Sequence, residues 1–169
     1  MKKIISCVIA VCMAMSLVAC GGKINLDRTI TMSVGLTFEV SSDWEQGAGE
    51  ELPHRIESYV FTTKYGRINI SAYTSTGDPI KLHAEYLSSL IESSEFTNVV
   101  EKPPVEKDID GARLIILEYS YTHSSSGDRV FKAVYVIRGD THVFFGYSSA
   151  KNEFNSRYFD AVIESIRWQ

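Results

Sequence analysis

Leu114-Ile115-Ile116-Leu117 is the stretch that decides the fold. Successive side chains of a strand point to opposite faces. Leu114 and Ile116 therefore face one way, Ile115 and Leu117 the other, and both pairs are apolar. Ala133–Ile137 and Val143-Phe144-Phe145 repeat the pattern. A strand that is apolar on both faces is covered on both faces. Turn signals separate these runs. Asp110-Gly111 and Gly139-Asp140 read as short hairpins, and Ser124-Ser125-Ser126-Gly127-Asp128 as a longer one. Sequential hairpins build an antiparallel sheet, and burial of both its faces calls for helices on both sides.

Upstream, the alternation is one-sided. Leu36, Phe38 and Val40 oppose Thr37 and Glu39, and Ile68, Ile70 and Ala72 oppose Arg67, Asn69 and Ser71. Ile56–Thr62 is rich in β-formers and joins the next run through Lys64-Tyr65-Gly66. Two helices are expected. Asp78-Pro79 supplies an N-cap and a first-turn proline, followed by Ile80, Ala84, Leu87 and Ile91 at helical spacing. The second runs from about Lys151 to Ile166, with Phe154, Tyr158, Phe159, Val162, Ile163 and Ile166 as its apolar side. A third helix or turn is placed in Trp44–Arg55, kept short by Gly47, Gly49 and Pro53. The expected class is α/β in the α+β sense. An antiparallel sheet of about six to seven strands lies between helices, in the order three strands, helix, four strands, helix.

The N-terminus reads as an address. Met1-Lys2-Lys3 is a positive n-region, and Ile4–Leu17 is an uncharged apolar run too short for a spanning helix. Leu17-Val18-Ala19-Cys20-Gly21 follows directly. This stretch resembles the lipobox of bacterial lipoproteins. The resemblance implies a signal peptide over 1–19, cleavage between Ala19 and Cys20, and a diacylglycerol on the Cys20 thiol beside further acyl chains such as palmitate. A plain signal peptide with an incidental cysteine is the competing reading. Two acyl chains anchor stably where one is marginal. Residues 20–28 then form a lipidated tether, and 29–169 a single domain.

Charge and cysteine content exclude several classes. Lys plus Arg is 17 against 21 for Asp plus Glu, a net charge of −4. Nucleic-acid binding needs the opposite balance, so no nucleic-acid partner is expected. Cleavage would remove Lys2 and Lys3 and leave the domain more acidic, so the anchor rather than the domain surface holds it at the membrane. The three cysteines, Cys7, Cys12 and Cys20, all precede the domain. A cysteine nucleophile, a Cys-based zinc site and a structural disulfide are therefore not expected in it.

Gly35-Leu36-Thr37-Phe38-Glu39-Val40-Ser41-Ser42-Asp43-Trp44 resembles the opening of the PsbP-like proteins, an apolar strand followed by Trp. Tyr158-Phe159-Asp160-Ala161-Val162-Ile163-Glu164-Ser165-Ile166 resembles their closing helix. The family pattern commonly has Pro where Ser41 stands. The resemblance implies an antiparallel sheet between helices, and binding or assembly roles rather than catalysis. It offers no catalytic residues.

The residues themselves show little chemistry. His54, His83, His123 and His142 lack the three-to-five-residue spacing of a helical zinc site. His123 and His142 are the pair that neighbouring strands would bring together. Gly47-Ala48-Gly49 lacks the lysine and helix of a phosphate loop. Glu45, Glu50 and Glu51 share a loop. Asp108-Ile109-Asp110-Gly111 resembles the start of a calcium loop without its closing glutamate. Tyr119, Tyr121 and Trp44 flank loops; core or rim packing is the preferred reading, and a recognition patch the alternative. No metal, cofactor or catalytic residue is assigned, and the one modified residue is Cys20. The expected function is a non-enzymatic protein-binding or assembly module, lipid-anchored to the extracytoplasmic face of a bacterial cell membrane, with a protein partner in the cell envelope. The alternative is a small-ligand carrier or sensor.

Overall fold

The computed structural model describes residues 24–49 and 54–169. The expected signal peptide, the expected lipid site Cys20 and the acidic pair Glu50 and Glu51 lie outside the described residues. The described chain holds eleven strands and two helices. β1 (Arg28–Thr31), β2 (Leu36–Val40), β3 (Glu45–Ala48), β4 (Arg55–Thr63) and β5 (Gly66–Thr74) come first. Helix α1 (Pro79–Glu92) follows. Next are β6 (Phe96–Glu101), β7 (Val105–Ile109), β8 (Ala112–His123), β9 (Gly127–Arg138) and β10 (Thr141–Ala150). Helix α2 (Ser156–Glu164) and β11 (Arg167–Trp168) close the chain.

The strands form two antiparallel sheets. The large one has eight strands in the order β3-β4-β5-β10-β9-β8-β6, with β7 also on β8. β7 pairs with the first half of β8 and β6 with the second. The small sheet is β1-β2-β11. The expected hairpins are all present. Asp110 and Gly111 turn with φ of 48° and 74°, the left-handed pair that a two-residue hairpin demands.

The two faces of the large sheet are covered differently. Leu114, Val134, Val136, Val143, Phe145 and Ile70 are buried on one face. Leu36, Phe38 and Val40 of β2 and Phe159, Val162 and Ile163 of α2 join the same core. The Phe38 and Phe145 rings meet edge to face at 5.3 Å, a geometry that adds about 0.5–1.5 kcal/mol to their burial. The opposite face carries Ile115, Leu117 and Ala133, with Ile80 of α1 packed against them. Both faces are thus covered, as the Leu114–Leu117 pattern demands. A helix alone was expected on each side, but on the first face the small sheet shares the cover with α2. A sheet presents a flat apolar surface that one nine-residue helix does not fill.

Several expectations are corrected. The strand count exceeds six to seven, because β1, β3, β6 and β11 were not foreseen. These strands are short or polar and carry little apolar periodicity; β6, for example, is largely exposed. Part of Trp44–Arg55 is the edge strand β3, held by pairing with β4, rather than a helix or turn. α1 starts as expected, with Asp78 Oδ1 accepting from the Ile80 N–H at 3.1 Å. It is rotated, however: His83 and Leu87 are buried, while Ala84 and Ile91 are exposed. α2 begins later than Lys151. Asn155 caps it by accepting from the Arg157 N–H at 3.2 Å, and Phe154 stacks on Tyr147 before the helix starts.

Candidate functional site

The α1 face of the large sheet is aromatic. Strand alternation puts Tyr119 of β8, Phe131 and Tyr135 of β9, and Phe144 of β10 on that face. Register lines them up: Tyr119 opposes Phe131, and Tyr135 opposes Phe144. Between them Ala133 opposes Gly146, and these small residues leave room for rings to lie down. A Cβ at Gly146 would stand 2.6 Å from Phe144 Cζ and 3.1 Å from Phe131 Cζ. The Phe131 and Phe144 rings are nearly parallel, 6.4 Å apart. Tyr135 and Phe144 are 5.2 Å apart.

α1 crosses this face without closing it. The result is a cleft of about 390 Å³. Phe131, Tyr135 and Phe144 form its floor, Tyr73 and His83 its sides, and Leu82 and Tyr86 its lip. Leu82 is 45% exposed and Tyr86 53%, so the lip presents apolar surface to solvent. His83 is buried, its ring 5.4 Å from Tyr119, and its Nε2 has no hydrogen-bond partner. Burial pushes the His83 imidazole below the usual histidine range. The same desolvation pushes the Tyr73 phenol up to about 12. Burial raises Tyr135 as well, with smaller contributions from Tyr73 and Tyr86. Among the described residues no Asp, Glu, Lys or Arg lines the cleft. It is a neutral, ring-lined site with phenol and imidazole groups as its polar atoms.

The expected site residues fall elsewhere or apart. Tyr119 and Tyr121 are neighbours on the α1 face, 5.7 Å between rings. Trp44 is buried on the other face against Tyr158, so the three do not form one patch. His123 opposes Gly127 at one end of β9, and His142 opposes Ile137 near the other. At about 3.3 Å per residue they are roughly 30 Å apart. His142 instead packs on Tyr73 at 5.6 Å. Asp108 and Asp110 belong to the β7–β8 hairpin. Among the described residues no group of three His, Cys, Asp or Glu is placed to hold a metal ion, and no helix is long and apolar enough to cross a membrane.

Sequence reasoning missed His83, Tyr135 and Phe144 as site residues. The available signal was aromatic content on one strand parity, Phe131 and Tyr135 in β9 and His142 and Phe144 in β10. A second hollow of about 290 Å³ lies at the far end of β8, between Asn98 and Lys151. Its polar groups pair with one another: Thr122 Oγ1 donates to Asp128 Oδ1 at 2.7 Å and accepts from Asn98 Nδ2 at 3.3 Å.

No protein-family model matches the sequence, and no curated protein matches it. Solved structures do share the fold. The solution structure of cyanobacterial PsbP (CyanoP) from Synechocystis sp. PCC 6803 superposes with a TM-score of 0.67 at 15% identity, over 89% of this chain and 98% of that one. A Bacteroides thetaiotaomicron protein gives 0.57 at 12% identity, over 86% of this chain and 49% of its own length. The Saccharomyces cerevisiae Ran-binding protein Mog1p gives 0.54 at 12% identity, over 85% of this chain and 96% of that one. The fold is PsbP-like.

Proposed function

We propose that this chain is a non-enzymatic binding module, held at the extracytoplasmic face of a bacterial membrane by a lipid on Cys20, and that it docks an envelope protein over the cleft beneath α1. The observation that carries the reading is the apolar lip of that cleft, where Leu82 and Tyr86 are about half exposed. Exposed aromatic and aliphatic residues around a hollow are what a docking partner buries. Among the described residues His83 Nε2 bonds no nucleophile, and no carboxylate lines the cleft to orient the ring. Acid–base or covalent catalysis there lacks the paired groups it needs. Mog1p, a neighbour in fold, is named for binding a protein, which is consistent with the reading.

A photoreactive benzoylphenylalanine in place of Tyr86, irradiated in intact cells, tests this. A discrete protein adduct is expected, absent when the same group replaces Lys107 on the exposed β7 edge. Equal or absent adducts at both positions reject the docking of a protein. The second reading, a small-ligand carrier, is favoured by the floor of the cleft, which strand pairing builds before any ligand arrives.

A further inference from the structure

We infer that the cleft beneath α1 also receives an uncharged, planar, ring-bearing small molecule with a polar atom at its edge. The inference rests on the reading of the chain as a binding module and names a chemistry for the same site. Shape comes first. A volume of about 390 Å³ falls within the few hundred Å³ usual for small-molecule sites. Its floor offers two nearly parallel rings, Phe131 and Phe144, with an interplanar angle of 20°. Flat π surfaces select flat partners, through offset stacking or edge contacts.

Charge comes second. Among the described residues lining the cleft there is no Asp, Glu, Lys or Arg, and burial disfavours the charged form of His83. A charged guest would leave water for a site with no counter-charge, at a cost of several kcal/mol. A neutral guest avoids that cost.

The polar edge comes third. Tyr73, Tyr86 and Tyr135 line the cleft, and a phenol both donates and accepts hydrogen bonds. His83 Nε2 is sealed from solvent, which leaves the tyrosine phenols as the groups a guest can meet. A hydrogen bond from such a phenol adds about 1 kcal/mol, roughly fivefold in affinity. A hydroxyl or carbonyl at the rim of a ring makes that bond, and a pure hydrocarbon does not.

The test uses the full chain in lipid nanodiscs, with empty nanodiscs as the baseline, and calorimetric titration at pH 7. Three probes share one ring system: 2-naphthol, 2-naphthalenesulfonate and 2-naphthylmethylammonium. The neutral naphthol is expected to bind once per chain, about tenfold or more tighter than either ion. Leu82→Glu places a carboxylate on the exposed lip and should weaken naphthol about tenfold. Tyr135→Phe deletes one hydroxyl and should weaken it about fivefold, the worth of one hydrogen bond. Naphthol binding no better than to empty nanodiscs, ions binding as tightly, or indifference to both substitutions overturns the inference. Failure of naphthol beside a protein adduct at position 86 removes the small molecule alone. Naphthol binding without an adduct supports the small molecule and removes the protein partner.

Discussion

Lys132 Nζ on β9 lies 2.5 Å from Asp160 Oδ1 on α2. The lysine side chain is 12% exposed and the aspartate 40%. One charged contact thus ties the C-terminal helix to the middle of the large sheet, at the margin of an otherwise apolar interface. The two ends are not equivalent, because the lysine side chain is the more deeply buried.

Removing the aspartate should therefore hurt more than removing the lysine. Asp160→Ala strands a mostly buried cation and is expected to cost about 1–3 kcal/mol. Lys132→Met keeps the apolar stem without stranding a buried charge, and should stay within about 1 kcal/mol of the parent. Urea melts compare them, and equal effects would show that the contact does not position α2.

The two faces of β8 give a second prediction. Leu114 is 3% exposed under the small sheet and α2, and Ile115 is fully buried under α1. Leu114→Ala and Ile115→Ala should each cost about 2–5 kcal/mol. Ile116, partly buried, should cost less. A sheet with one wet face would give a single large effect beside one within about 0.5 kcal/mol.

Gly66 is set apart from the other turn glycines. Its φ is +147°, and a Cβ there would lie 2.3 Å from the Ser148 carbonyl oxygen. Gly127, at φ +70°, has nothing within 4 Å of its Cβ position. Gly127→Ala is expected to cost about 1–2 kcal/mol for the left-handed backbone alone. Gly66→Ala should cost about 1–3 kcal/mol beyond that, since a backbone carbonyl cannot rotate away. Thermal melts of the two variants check the order.

Acid should weaken the fold in two steps. Burial lowers the folded-state pKa of His83, and of His142 against an opposing pull from Asp140. Below about pH 6.5 the unfolded chain binds protons that the folded chain resists. Stability from these groups is therefore complete above that pH and is lost as pH falls toward their folded values. Asp27 is held low by hydrogen bonds from Ser42, and its contribution, complete above about pH 4, is lost as pH falls through its lowered folded value. Melting temperatures measured from pH 7 to pH 5 should fall, and His83→Leu should flatten the fall. An unchanged slope would place the titrating group elsewhere.

The proposed lipid anchor rests on one thiol. Cys20→Ser should abolish acylation, read by labelling cells with an alkyne fatty acid and fractionating them. Undiminished labelling of the variant would reject Cys20 as the lipid site.

Leu114-Ile115-Ile116-Leu117 and its neighbours determined, from sequence alone, that a sheet is buried on both faces, where its hairpins turn, and that two helices are available. They could do so because burial leaves a two-residue period, and φ > 0 turns demand Gly and Asp. The PsbP-like resemblance read from the Trp44 and Tyr158 segments agrees with the fold of CyanoP. The strands β1, β3, β6 and β11 left no such trace. They carry little apolar pattern of their own and are held in place by strand pairing, for β11 with a partner distant in sequence, Arg167 with Thr37. The same reason hid the cleft. Tyr73, His83, Tyr135 and Phe144 are scattered along the chain and meet only because register sets Phe144 opposite Tyr135 and α1 lands across them. Local periodicity fixes which side of an element is apolar. Only tertiary packing decides how much of that side a helix covers and where it stops, and here the uncovered remainder is the candidate site.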